Sequence, residues 1–153
     1  MEVHDEYIPA EEFAAFTERL PEVCVELVLQ TSRGVLLAKR TNDPVKGEWF
    51  WPGGRLYKGE ELEAAAHRVA AAELGIEVDL GDRLGVYSHF WDTSQLPGSP
   101  SRHTVNVVYL ATPVSDPPAV SLDDQHSDYR YVTEVEPSLH EYVRQYLEDG
   151  DLV

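Results

Sequence analysis

The chain has 153 residues, the size of one domain able to bury roughly 70% of the surface its unfolded form exposes. Apolar residues at 42% and charged residues at 26% exclude wholesale disorder and a fibrous architecture. Twelve Lys and Arg against 28 Asp and Glu leave a formal net charge of -16; this repels nucleic acid and anionic membranes at long range, so neither is an expected partner.

In chain order, residues 10 to 20 place Phe13, Phe16 and Leu20 at i, i+3 and i+7, which predicts a short amphipathic helix stopped by Pro21. The aromatic pair on that stripe is expected to serve core packing or a dimer contact. Val23 to Gln30 is rich in β-formers, Thr31-Ser32-Arg33-Gly34 supplies turn chemistry, and Val35 to Arg40 returns as the partner strand. Thr41 to Gly54 holds prolines, glycines and aromatics with no sustained period, the signature of a structured loop. From Glu60 to Leu74 an alanine-rich run has helical spacing, with Gly75 placed as its C-cap. Strands are predicted over Ile76–Leu80, Leu84–Phe90 and Thr104–Ala111, and a long loop over 91–102. A last strand near Tyr129–Val132 precedes a closing helix over about 138–148, for which Ser138 with Glu141 reads as a capping box. Leu139, Tyr142, Val143, Tyr146 and Leu147 form the inward stripe of that helix. Strands and helices mixed without strict alternation give an α+β fold, an αβα sandwich, in one domain spanning 1–153.

The single cysteine, Cys24, excludes an intrachain disulfide and a cysteine cluster for zinc. With an acidic start and no run of ~18 apolar residues, a cytoplasmic location is expected. Nine arginines against Lys39, Lys46 and Lys58, within so acidic a chain, suggest a surface suited to a salt-loving host. The unfolding midpoint is accordingly expected to rise with KCl; easier unfolding at higher KCl in a denaturation series would contradict this.

The informative stretch is Gly54 to Ile76: Gly54, five residues, Glu60, seven residues, Arg68, then Glu73, Leu74, Gly75 and Ile76. It resembles the Nudix box, whose pattern is glycine, five residues, glutamate, seven residues, then Arg-Glu-apolar-any-Glu-Glu-any-Gly-apolar. The departures are specific. Where the pattern has three glutamates after the arginine, this chain has Val69, Ala72 and Glu73. In the family those carboxylates gather divalent ions and activate water against phosphorus, so their loss means that catalysis has either lapsed or moved to another atom. The GDP-mannose mannosyl hydrolase branch is known for this loss. Leu36-Leu37-Ala38-Lys39-Arg40-Thr41-Asn42, Trp49-Phe50, Pro52-Gly53-Gly54-Arg55, Gly85 to Phe90 and Asp124 to Arg130 are similar to segments of that branch.

The resemblance implies Mg²⁺, with Mn²⁺ as a possible substitute, held by the Gly53 carbonyl, Glu73 and Gln125. It implies a GDP-sugar, GDP-mannose or GDP-glucose, bound with help from Glu26, Arg40 and Arg55. Catalytic roles fall to His126 as general base, to Arg40, Arg55 and Arg68 toward the diphosphate, and to His89 near the sugar. Arginine suits the diphosphate because its charged fork donates two hydrogen bonds at any working pH, although Arg68 often pairs with a box glutamate, here Glu60 or Glu73. Water arriving opposite the leaving group would invert the anomeric centre. The branch also implies a homodimer. Asn106 stands where the family has a tyrosine, which puts one leaving-group contact in doubt. Two alternatives remain open: cleavage between the phosphates, and a non-catalytic nucleotide-binding module.

Overall fold

A computed structural model describes residues 1–93, 95–96 and 98–153. The loop expected over 91–102 contains both remaining positions, and there that expectation lies outside the described residues. The element order is α1 (Ala10–Thr17), β1 (Glu22–Thr31), β2 (Gly34–Arg40), β3 (Trp49–Phe50), β4 (Gly53–Arg55), α2 (Leu62–Val69), a π turn (Ala70–Leu74), β5 (Val78–Trp91), β6 (Arg102–Pro113), β7 (His126–Val132) and α3 (Glu141–Asp149).

The sheet runs β3-β2-β1-β6-β5, with β4 added to β1 and β7 to β2. It is mixed: β1 lies parallel to β6 from Glu22↔Thr104 to Leu29↔Ala111, while the other pairs are antiparallel. Near-continuous apolar runs such as Leu27-Val28-Leu29 and Leu36-Leu37 are what a sheet covered on both faces requires, because neighbours point to opposite sides. One face packs Val25, Leu27, Leu36 and Val107 under Ala65, Ala66, Val69, Ala70 and Leu74 of the box helix. The other packs Val28, Leu37 and Val108 under Val143, Tyr146 and Leu147 of α3. The fold is therefore α+β, a mixed sheet between helices, as the sequence predicts.

Four local expectations are corrected. First, α1 stops at Thr17 and buries none of its residues; Phe16 and Leu20 are 48% and 63% exposed, so its stripe is not a core face. Second, the two strands expected between residues 76 and 90 are one, β5, which absorbs Gly81 to Leu84 as register shifts against β6 rather than as a turn. Third, α3 is capped by His140, whose Nδ1 accepts from the Tyr142 amide at 3.0 Å, not by Ser138. Fourth, the box helix changes from α to π at Ala70 before Gly75 ends it in the left-handed region at φ 65°. Among the described residues no helix is long and apolar enough to cross a membrane.

Candidate active site

The box helix and the loop that leads into β7 meet for a backbone reason. The last carbonyls of a helix need donors from outside it. Here Ser121 donates to the Leu74 carbonyl at 2.8 Å and Asp123 to the Glu73 carbonyl at 3.3 Å. Thr41 anchors the other end of this loop, its amide donating to the Gln125 carbonyl at 2.9 Å and its hydroxyl to the Asp124 carbonyl at 3.2 Å. Glu73, Asp123, Gln125 and His126 are thereby drawn together from positions about fifty residues apart in the sequence.

A cleft of about 540 Å³ opens beside them. Gly53, Glu73, Gln125, Glu26, Arg40, Arg55, Arg68 and His89 all line it. His126 does not. It is buried at the start of β7, opposite Arg40 of β2, with Nδ1 at 2.8 Å from Asp123 Oδ1 and Nε2 at 3.7 Å from Glu73 Oε1. Since a carboxylate only accepts, Asp123 fixes the proton of a neutral ring on Nδ1 and leaves the lone pair on Nε2. Among the described residues Nε2 is buried without a hydrogen-bond partner.

Glu73 also accepts from the Gly53 amide at 3.1 Å, which joins the box helix to β4. Burial, the largest influence, pushes its carboxyl up to about 8, and the charges of Asp123 and Glu26 add to the effect against the Gly53 hydrogen bond and Arg40. Arg40 is partly buried and its Nε donates to the Pro44 carbonyl at 3.0 Å; burial lowers its pKa while Glu73, Glu26 and Asp123 hold it up. Several carboxylates thus converge on one partly buried arginine. A divalent cation would relieve that excess of negative charge. The available donors are all oxygens, from a carboxylate, an amide and a backbone carbonyl, which suits a hard ion that fills its remaining positions with water and phosphate. Among the described residues no group of three His, Cys, Asp or Glu side chains could hold a metal alone, so a ligand from the substrate fits this site better than a closed protein cage.

Each box residue has a definite place. Val69 is buried in the core under the sheet, and the methyl of Ala72 forms part of the cleft wall. Of the three helix positions that the family pattern fills with glutamate, Glu73 alone offers an acid. Arg68 is held by Glu60, with Nε to Oε2 at 2.7 Å and Nη2 to Oε1 at 2.9 Å, and also donates to the Arg55 carbonyl at 2.9 Å. Of the two partners expected for it, Glu60 is the one in contact. Arg55 and Arg68 both stack on Tyr57, at 4.6 and 3.9 Å, and Arg55 reaches the Glu6 carbonyl at 3.3 Å.

At the other end, Gly53 lies so close to β1 that an added Cβ would meet Glu26 Cγ at 2.8 Å. Glu26 is buried, and burial, the dominant influence, raises its carboxyl to about 7 against a hydrogen bond from Tyr146 and the charge of Arg40. His89 is buried within β5, stacked on Tyr142 at 3.7 Å, and burial pushes its ring down to about 4. It is therefore neutral near pH 7.

Apart from Glu26 and Asn106, the residues of the cleft floor were not anticipated. Glu22, Cys24 and Glu26 project from β1 at every second residue, and Arg102, Thr104 and Asn106 do so from its parallel neighbour β6. Arg102 pairs with Glu22 and lies over the Phe13 ring at 5.5 Å. Phe13 is thus a cleft-wall residue and not core. Asn106 is buried, its amide donating to Thr104 Oγ1 at 3.0 Å. Period-two polarity in Glu22-Val23-Cys24-Val25-Glu26 was the available signal.

Comparison with known proteins identifies the family and the fold. The NUDIX domain description matches residues 19–148. The chain is 42% identical over 147 residues to the low-salt glycan biosynthesis protein Agl8 of Haloferax volcanii, covering 94% of this chain and 91% of that one. It is 32% identical over 90 residues to an ADP-ribose pyrophosphatase of Methanocaldococcus jannaschii, covering 59% of this chain and 50% of that one. A MutT NUDIX hydrolase from Burkholderia pseudomallei superposes with a TM-score of 0.72 at 28% identity, covering 86% of this chain and 98% of that one. By the extent of the domain match, the chain belongs to the NUDIX family.

Proposed function

We propose that this NUDIX hydrolase cuts a GDP-sugar, GDP-mannose or GDP-glucose, by water attack at the anomeric carbon with inversion, releasing GDP and free sugar. The observation that carries the reading is the single acid, Glu73, that these three box-helix positions present to the cleft, with Val69 in the core and Ala72 as bare wall. The box helix itself therefore supplies no carboxylate cluster to activate water against phosphorus.

Departure of GDP leaves positive charge on the sugar and negative charge on the diphosphate. The Gly53 carbonyl, Glu73 and Gln125 would hold Mg²⁺, which supplies charge neutralisation at the diphosphate. Arg40 and Arg55 add donors to the same oxygens. Arg68 acts at one remove, holding the Arg55 backbone through a guanidinium already committed to Glu60. His126 is the base for the attacking water's proton, standing behind Glu73 with Nε2 3.7 Å from Glu73 Oε1 while Asp123 holds Nδ1. Near the sugar, a neutral His89 adds no charge against the developing cation, and Glu26, when ionised, opposes it with a negative one. Agl8, named for glycan biosynthesis, supports a sugar-linked substrate.

The second reading is cleavage between the phosphates, which the likeness to a protein named as an ADP-ribose pyrophosphatase favours. Turnover of GDP-mannose with Mg²⁺ in oxygen-18 water separates the two. Label is expected in the free sugar; label confined to phosphate would reverse the choice. Tight metal-dependent GDP binding without any turnover across a GDP-sugar panel would instead identify a binding module.

A further inference from the structure

We propose that Tyr146, carried on α3, is a positioning residue for the sugar end of the cleft, fixing the Glu26 carboxylate and the His89 ring through one hydroxyl. The inference rests on the reading above that Glu26 and His89 face the sugar. The contacts themselves are short and enclosed. Tyr146 is fully buried, and its Oη lies 2.6 Å from Glu26 Oε1 and 3.3 Å from His89 Nε2.

The direction of each bond follows from what the partners can do. Burial pushes the phenol pKa far up, with the Glu26 charge adding to it, so the hydroxyl keeps its proton and donates it to Glu26. Its oxygen is then an acceptor for His89. Gln145, the residue before it in α3, places Oε1 at 3.3 Å from the same His89 Nε2, and an amide oxygen only accepts. Two acceptors facing one ring nitrogen place the His89 proton on Nε2 and the lone pair on Nδ1. One turn earlier, Tyr142 stacks on the His89 ring at an interplanar angle of 3°. The closing helix therefore sets the plane of His89 with one residue, its tautomer with two, and the Glu26 carboxylate with the shared hydroxyl. None of these helix residues is among those that line the cleft. Tyr146 acts through Glu26 and His89 and makes no contact with the reacting atoms.

Packing is separable from this role. The Tyr146 ring stacks on Trp51 at 5.3 Å and lies 4.6 Å from Tyr87, contacts that Tyr146→Phe retains while losing the hydroxyl alone. The test is a double-mutant cycle in the full chain, with GDP-mannose as substrate and GDP with Mg²⁺ as binding probe. Y146F is expected to lower kcat about tenfold to a hundredfold, with the GDP dissociation constant changed less than about twofold and the thermal midpoint within a few degrees of the parent. E26Q is expected to lower kcat as well, and the E26Q/Y146F pair to be scarcely slower than the worse single variant.

Four results would overturn the proposal. Losses that multiply in the double variant would show that the two residues act independently. A Y146F protein with unchanged kcat beside an impaired E26Q would remove Tyr146 alone and leave the sugar-end reading standing. Loss of GDP affinity together with kcat in a Y146F protein that melts early would make the effect purely structural. Normal turnover by E26Q would bring down the sugar-end reading and this inference together.

Discussion

Glu73→Gln is expected to cost about 10²-fold or more in turnover, since a metal ion's polarisation of a phosphoryl oxygen is worth several kcal/mol, and at the same time to stabilise the metal-free protein at alkaline pH. The two effects share one cause. Glu73 sits where Asp123 and Glu26 also direct their charge, and burial raises its carboxyl from 4.5 to about 8. The folded state therefore holds a proton that the unfolded chain releases near 4.5. Stability from this group is complete below 4.5 and is lost as pH climbs through about 8. An amide has no such loss, so the melting temperature of the variant should exceed that of the parent above pH 8 without metal. Added Mg²⁺ should narrow the difference by stabilising only the parent. Calorimetry at pH 6 and pH 9, with and without Mg²⁺, measures each part; normal turnover at low Mg²⁺ would exclude Glu73 as a ligand.

His126→Ala is expected to lower kcat by about 10² to 10⁴, the usual worth of a positioned general base, while leaving GDP affinity nearly unchanged. Among the described residues Nε2 is buried without a hydrogen-bond partner while Nδ1 is engaged by Asp123, so the ring has one uncommitted nitrogen and one anchor. Asp123→Asn should be milder, because an amide can hold the ring yet can also present the wrong group to Nδ1. Steady-state kinetics as a function of pH distinguish these outcomes. A His126→Ala enzyme with parental kcat and the parental pH profile would mean that another group takes the proton.

The fold was legible wherever local periodicity and burial agree. The hairpin, the box helix with its left-handed Gly75 stop and the inward stripe of α3 all follow from spacing and turn chemistry. The π turn was not, because a reading at 3.6 residues per turn has no place for one extra residue in the ladder. Ser138 was a reasonable cap by type, yet the chain enters α3 two residues later and a histidine does the work. In the site, the box residues were legible because they lie within one short segment. Arg102 and Thr104 were not, and Asn106 was legible only through the family resemblance. They reach Glu22, Cys24 and Glu26 through parallel pairing between strands about eighty residues apart, and no local pattern announces a partner at that distance.

The two central strands share an abrupt change of character on one face. Along β1 the sequence Glu22, Cys24, Glu26 gives way to Val28, and along β6 Arg102, Thr104, Asn106 gives way to Val108. The apolar half is roofed by α3, and the polar half forms the cleft floor, with Glu26, Thr104 and Asn106 buried in it. Substitutions on that floor reshape the surface a ligand meets, whereas those in the roofed half disturb the packing of α3 on the sheet. The same two strands thus divide recognition from cohesion along their length.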